Sequence, residues 1–375
     1  MKIGITCYPT YGGSGAVATE LGIALAERGH EVHFITYQQP FRLPEFLPRV
    51  FFHEVDVVRY PLFEYPSYDL ALAVHMHQVV KAHKLDLIHA HYAIPHATSA
   101  WIAREMLEDS GTSVKIITTL HGTDITLIGQ DPSFKSITKF SIERSDGLTA
   151  VSRFLKEQTY RTFGCNGCAV EVIHNFVDPE VYDRNLYRQT LREQYGDHRM
   201  VLMHVSNFRS VKRVRDVIRI FARVNRAIPS VMVMVGDGPE RAQAEEEASE
   251  LGVQDHTFFL GKIDAVAPLL ASADLFLLPS QSESFGLSAL EALACGVPVV
   301  ASDIGGLPDV VRDGITGALR AVGDVDAMSD AAIGILSDRA RWSTMSAAAA
   351  ADARARFSRD DIVSRYEAFY ERTLG

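Results

Sequence analysis

From end to end, short apolar runs rich in β-branched residues alternate with longer stretches whose apolar residues recur at helical spacing. This alternation marks parallel sheets covered by helices on both faces, because a strand buried on both sides is apolar at nearly every position. In the first half the runs predict strands over 2–7, 31–36, 50–55, 86–90, 115–120, 147–151 and 170–173. A second series follows at 200–205, 231–235, 257–260, 274–278, 297–301 and 317–320. Two doubly wound α/β domains fit this better than one large sheet. The expected division is one Rossmann-like domain over 1–178 and a second over 179–356. The polar stretch 178–197 reads as linker, and the Ala-rich tract 347–355 as helix.

Open parallel sheets bind ligands beyond the carboxyl ends of their strands, where loops lead into helix N-termini. The chemistry is therefore expected just after each strand, in a cleft between the two domains.

Composition narrows the ligand. With 375 residues, 47% hydrophobic and 22% charged, the chain can bury two cores of ordinary size. Its formal net charge of −10 argues against a general nucleic-acid or anionic-membrane binder, so any phosphate must be held by a local cationic site. Arg215, Arg219, Arg223 and Arg226 fall at helical spacing and read as a solvated helix face. The apolar runs are too short to span a bilayer, and the opening MKIGITCYP lacks the pattern of a secretion signal, so the expectation is a cytoplasmic protein without stable membrane insertion. Self-association is left open.

Several motifs admit a functional and a structural reading. Gly13, Gly15 and Ala18 satisfy G-x-G-x-x-A after the first strand, within Tyr11-Gly12-Gly13-Ser14-Gly15. This suits either a phosphate-facing loop or a plain strand-to-helix turn. No acidic residue ends the second strand, which counts against a dinucleotide enzyme. His121-Gly122-Thr123-Asp124 ends the 115–120 strand, where His121 could face a ligand or sit incidentally in a turn. His89, His91 and His96 lack a further ligand at recognisable spacing, so no metal is expected and no cofactor is called for. Cys165-Asn166-Gly167-Cys168 is a single C-x-x-C, read as a surface turn in preference to a zinc or redox pair. Asp324 and Asp326 form a D-x-D that helix capping explains without a metal.

Two later stretches are more pointed. After the 200–205 strand, Arg209 and Lys212 stand in the loop, able to reach a diphosphate together with a helix N-terminus. After the 274–278 strand, Pro279 to Val300 carries Glu283, then Gly286, then a helix with Glu291 inside it. Two carboxylates flanking an anion site suit a ligand that is both polyhydroxylated and phosphorylated.

With this string, and with Val235-Gly236-Asp237-Gly238-Pro239-Glu240 and Asp303-Ile304-Gly305-Gly306-Leu307-Pro308, the chain resembles the retaining glycosyltransferases of the GT-B fold, family four, whose E-x7-E element matches Glu283 to Glu291. Within that family the Gly12-Gly13-Ser14-Gly15, His91-Tyr92-Ala93-Ile94-Pro95-His96, His121-Gly122-Thr123-Asp124 and Ser206-Asn207-Phe208-Arg209 segments are similar to the N-acetylglucosaminyl-malate synthase group of bacillithiol biosynthesis. One departure is Asn207, which stands where the wider family has an arginine.

The resemblance implies UDP-N-acetylglucosamine as donor, bound by the 179–356 domain, L-malate as acceptor, bound by the 1–178 domain on which the final helix, 357–375, packs back, and retention of the α configuration. It implies catalytic roles for His121, Lys212, Arg209 and Glu283, and donor contacts at Gly13, Ser14, Gly15, Asn207, Gly236, Lys262, Ser284, Phe285, Gly286, Leu287 and Glu291. Glu291 would take the ribose hydroxyls and Glu283 those of the sugar. Candidates for malate are Ser14, Tyr92, Thr119, Lys135 and Asn175. Competing readings are a family-four enzyme for an inositol phosphate or lipid, a UDP-sugar-binding regulator, and a nonhydrolysing epimerase.

Overall fold

Thirteen strands, all paired in parallel, form two sheets among the described residues of a computed structural model of the chain. The structure describes all residues except 11, 58–66, 109–110, 166, 188–190 and 197. Tyr11 of the glycine loop and Asn166 of the C-x-x-C thus lie outside the described residues.

The first sheet contains β1 (Lys2–Thr6), β2 (Glu31–Thr36), β3 (Val50–Glu54), β4 (Leu87–His91), β5 (Lys115–Leu120), β6 (Gly147–Ala150) and β7 (Val170–Val172), in the order β3-β2-β1-β4-β5-β6-β7. The second contains β8 (Met200–Val205), β9 (Ser230–Val235), β10 (Thr257–Gly261), β11 (Leu275–Leu278), β12 (Val299–Ser302) and β13 (Gly317–Arg320), in the order β10-β9-β8-β11-β12-β13. Every predicted strand is present, with ends shifted by at most two residues. In each sheet the strand order reverses once, between β1 and β4 and between β8 and β11. At such switch points the two following loops diverge to opposite faces and leave a crevice.

The chain divides into two compact units, Met1–His174 with Asp360–Gly375, and Asn175–Arg359. In the first unit Tyr366, Phe369 and Tyr370 of the last helix are buried, and the Tyr370 hydroxyl lies 2.8 Å from His89 Nδ1. Arg28 reinforces the docking through Glu367 at 2.6 Å. Residues 178–187, read as linker from their polarity, instead pack within the second unit, where Arg184 Nε donates to the Cys295 carbonyl at 3.2 Å. Among the described residues no helix is long and apolar enough to cross a membrane.

Sequence amphipathicity explains the covering helices. In Val214–Ala227 the residues Val217, Ile218, Phe221 and Val224 are buried, and the arginines lie on the other side. Arg215 and Arg219 both grip the buried Glu247, at 2.6 and 2.7 Å, and Arg223 pairs with Asp326. The arginine stripe is thus largely committed to acidic partners, and Asp324 caps the helix Val325–Leu336 by accepting from Ala327 N at 2.9 Å. The C-x-x-C reading is corrected: Cys165 and Cys168 are joined by a disulfide, since the turn brings their Cα atoms to 5.7 Å.

Candidate active site

In the first unit the loops after β1, β4 and β5 carry the chemistry. The helix Gly13–Glu27 starts directly at the glycine loop, and a Cβ on Gly15 would stand 2.5 Å from the Tyr8 carbonyl oxygen. Glycine is therefore required there to let the helix approach the β1 loop, whatever the loop binds. The Tyr92 hydroxyl donates to Ser14 Oγ at 3.0 Å, tying the β4 loop to the β1 loop across the switch point. Tyr92 adopts φ 101°, a left-handed conformation that a side chain rarely takes, and its ring meets Tyr8 and His121 at 5.2 Å each. Burial pushes its hydroxyl up to about 12, so it remains a proton donor near neutral pH.

Beneath this surface lies a histidine row. His91 Nδ1 faces His121 Nε2 at 2.8 Å, His96 Nδ1 meets the His91 carbonyl at 2.7 Å, and His89 bridges Thr119 and Tyr370. Burial pushes His89 and His121 down to about 3, His96 to about 4 and His91 well below its ordinary value. All four imidazoles are neutral near pH 7, so His121 can offer hydrogen bonds but no positive charge. Asp124 collects the amides of Ala93 and Gly122, both at 3.0 Å, and fixes the β4 and β5 loops together. Burial raises its carboxyl to about 6 against the pull of those amides.

In the second unit the loops after β8 and β11 meet. Lys212 Nζ lies 2.6 Å from Glu283 Oε1, and the Ser280 hydroxyl donates to the same oxygen at 2.9 Å. Backbone pairing joins the two loops as well, with Gln281 N donating to the Val211 carbonyl at 2.8 Å. Behind them His204 spans the Leu277 carbonyl and the Ser206 hydroxyl, both at 2.8 Å. Burial, with the Lys212 charge adding to it, holds this ring down at about 4.

Gly286, at φ 97°, turns the chain into the helix Leu287–Ala294, whose first amides lie outside its own hydrogen-bond ladder. Those amides and Lys212 give this switch point positive potential. Glu291 sits one turn inside, buried, its Oε1 accepting from the Tyr182 hydroxyl at 2.7 Å.

Glycines shape both loops by close approach. A Cβ on Gly305, at φ 61°, would stand 2.0 Å from the Glu283 carbonyl oxygen, and Gly306 N donates to that oxygen at 2.9 Å. A Cβ on Gly236 would stand 1.7 Å from the Ser206 carbonyl oxygen, which makes Gly236 a support for the β8 loop. Gly305→Ala is expected to destabilise the protein by about 1–3 kcal/mol through overpacking, read as a lower urea midpoint with unchanged slope; an unaltered midpoint would show that the loop can yield.

The predicted residues thus fall into groups. Ser14, Tyr92 and His121 gather in the first unit, with Gly13 exposed beside them. Lys212, Glu283, Ser284, Phe285, Gly286, Leu287 and Glu291 gather in the second, with Asn207 and Arg209 exposed on the adjoining loop. Thr119 is corrected: it is fully buried, and its hydroxyl is shared by His89 at 2.7 Å and Thr149 at 2.6 Å, which makes it part of the sheet interior. Lys135 is exposed in the first turn of the helix Pro132–Glu143, and Lys262 is exposed just past β10. Asn175 is buried, and its Oδ1 has no hydrogen-bond partner among the described residues. Sequence reasoning missed Tyr182, Asp124 and His204. Only Asp124, two residues past a strand-end glycine, carried a local signal.

Known proteins share the sequence pattern and the fold of this chain. Residues 11–181 match the Glycosyltransferase Family 4 model and residues 188–355 the Glycosyl transferases group 1 model. N-acetyl-alpha-D-glucosaminyl L-malate synthase of Bacillus anthracis is 47% identical over 372 residues, covering 99% of this chain and 96% of that protein. D-inositol 3-phosphate glycosyltransferase of Mycobacterium marinum is 29% identical, covering 97% of this chain and 82% of its own. Among solved structures, sucrose-phosphate synthase from Thermosynechococcus elongatus superposes with a TM-score of 0.78 at 22% identity, covering 99% and 98% of the two chains. HepE of Anabaena, in complex with UDP and glucose, gives 0.79 at 21%, covering 98% of each. The chain is therefore a glycosyltransferase of family 4 with the GT-B fold.

Proposed function

We propose that this enzyme transfers N-acetylglucosamine from UDP-N-acetylglucosamine to L-malate with retention, acting in the cytoplasm as the first step toward bacillithiol. The observation that carries the reading is likeness along the whole chain to the B. anthracis synthase, and a polar cluster at the strand ends of each unit is compatible with it.

The second unit takes the donor. Glu291, oriented by Tyr182, receives the ribose hydroxyls, and Glu283 those of the sugar. Lys212, Arg209 and the amides at Phe285, Gly286 and Leu287 meet the diphosphate, where charge grows as the glycosidic bond breaks. The first unit takes the acceptor through Ser14 and Tyr92, with Lys135 as a further group for a dicarboxylate; Asn175, at the start of the second unit, is the remaining acceptor candidate. No carboxylate at the strand ends is proposed as nucleophile. The departing phosphate accepts the malate hydroxyl proton on the face it leaves, which preserves configuration. His121, neutral, steadies the donor sugar by hydrogen bonding.

Tyr182→Phe removes one hydrogen bond to a buried carboxylate, worth about 1.5–3 kcal/mol, so the donor KM is expected to rise at least about tenfold while kcat changes less. An unchanged KM would remove Tyr182 from donor binding. The acceptor is tested by UDP release with L-malate, other 2-hydroxy acids, inositol 3-phosphate and a lipid acceptor. Release confined to the last two would move this enzyme to the inositol-phosphate or lipid class and leave the fold untouched.

A further inference from the structure

Away from the strand-end loops, a second group of histidines converges on the opposite edge of the first sheet. His33 lies on β2 and His53 on β3, on one face of the sheet, since β2 and β3 pair His33 with Phe51 and Ile35 with His53. His83 closes the helix Tyr68–His83 that covers this face. One nitrogen from each of the three rings lies within 4.8 Å of the others. His33 Nδ1 and His53 Nε2 are already 2.8 Å apart, and the His83 ring centroid is 4.5 Å from that of His33 and 5.2 Å from that of His53.

The ring of His33 is held from its far side. Its Nε2 meets Glu31 Oε1 at 3.0 Å, and Lys2 Nζ lies 3.1 Å from the same oxygen. A carboxylate beside Nε2 accepts a hydrogen bond from the ring N–H there, which leaves the Nδ1 lone pair pointing into the cluster. Metal-binding histidines show this arrangement, in which an outer carboxylate fixes both tautomer and ring plane. Phe51 stacks on the same ring at 4.9 Å and 18°.

We propose that His33, His53 and His83 bind one divalent ion of the zinc class. Three imidazoles select zinc, cobalt or nickel over magnesium and calcium, which prefer oxygen. Tetrahedral coordination at about 2.0–2.1 Å spaces ligand nitrogens by roughly 3.3 Å, so small ring rotations convert the present cluster into a three-histidine site with water in fourth position. His33 is fully buried while His53 and His83 are half-buried, which gives the ion a path from solvent. The ion ties the β2–β3 edge to the end of its covering helix and takes no part in sugar transfer. The spacing of these histidines along the chain matches no recognisable ligand pattern, and only the packing of the covering helix on the sheet assembles them.

Tag-free, chelator-treated protein titrated with Co²⁺ tests this by visible absorption, with Zn²⁺ competition to follow displacement. The expected result is a four-coordinate cobalt spectrum saturating at one ion per chain and abolished by zinc. His53→Ala and His83→Ala should lose the spectrum, and Glu31→Gln, which keeps all three ligands, should weaken binding about 10–100-fold. Absence of a four-coordinate spectrum in the unsubstituted protein, or its persistence in His83→Ala with native circular dichroism, would overturn the assignment.

Discussion

Lys212→Ala is expected to lower kcat at saturating donor by about 10²–10³-fold, the range found for removing one group that stabilises developing negative charge. The geometry makes the loss larger than that of a charge on a mobile surface loop. Lys212 is four-fifths buried and held at 2.6 Å from Glu283. Removing it withdraws a cation from the leaving diphosphate and also leaves the Glu283 carboxylate, itself only 10% exposed, without its countercharge beside that diphosphate. An uncompensated buried charge costs more than the pair is worth. Lys212→Arg, which keeps the charge with a different shape, should recover part of the rate. Near-normal turnover of the alanine variant at saturating donor would remove Lys212 from the chemical step.

The second large effect is acid lability. His89, His96 and His121 are held at about 3 to 4 in the folded protein, His91 well below its ordinary value and His204 at about 4, against about 6.5 in the unfolded chain. Between those values the unfolded state binds more protons than the folded one, so stability rises with pH through this window and is lost as pH falls below about 6.5. His89, His96, His121 and His204 each remove about 2 kcal/mol between pH 7 and pH 5, and His91 acts in the same direction. Asp124 acts in the opposite sense, because its folded value of about 6 lies above that of an unfolded aspartate, and it returns about 1 kcal/mol over the same interval. The balance is several kcal/mol, a large share of the total stability of an ordinary domain. The urea midpoint should fall steeply from pH 7 to pH 5; a flat profile would mean that water or a ligand already serves the histidine row.

Much of this was legible in the sequence because the strands are buried on both faces. A run such as 231–235 carries no polar residue to blur its limits, and β9 occupies Ser230–Val235. The E-x7-E element was equally plain, since a strand, a free-backbone glycine and a helix follow one another locally. What stayed hidden depends on distance along the chain. Lys212 and Glu283 are 71 residues apart, and Tyr182 and Glu291 are 109. Tyr182 lies in a stretch whose polarity reads as linker, although polarity does not reveal that the chain folds back on its own unit. Thr119 read as a strand-end donor, but its alternation in β5 turns it inward to His89 and Thr149. Gly236 stands among the donor contacts that the resemblance implies and Gly305 only in a family string, and the close packing of each against another loop is a role that only neighbouring backbone reveals.

The most direct test of the proposed reaction is NMR of the product formed from UDP-N-acetylglucosamine and L-malate, with UDP quantified in the same tube. One α-linked N-acetylglucosaminyl malate per UDP released is the predicted result. A β-linked product, or UDP release without a malate glycoside, would contradict it.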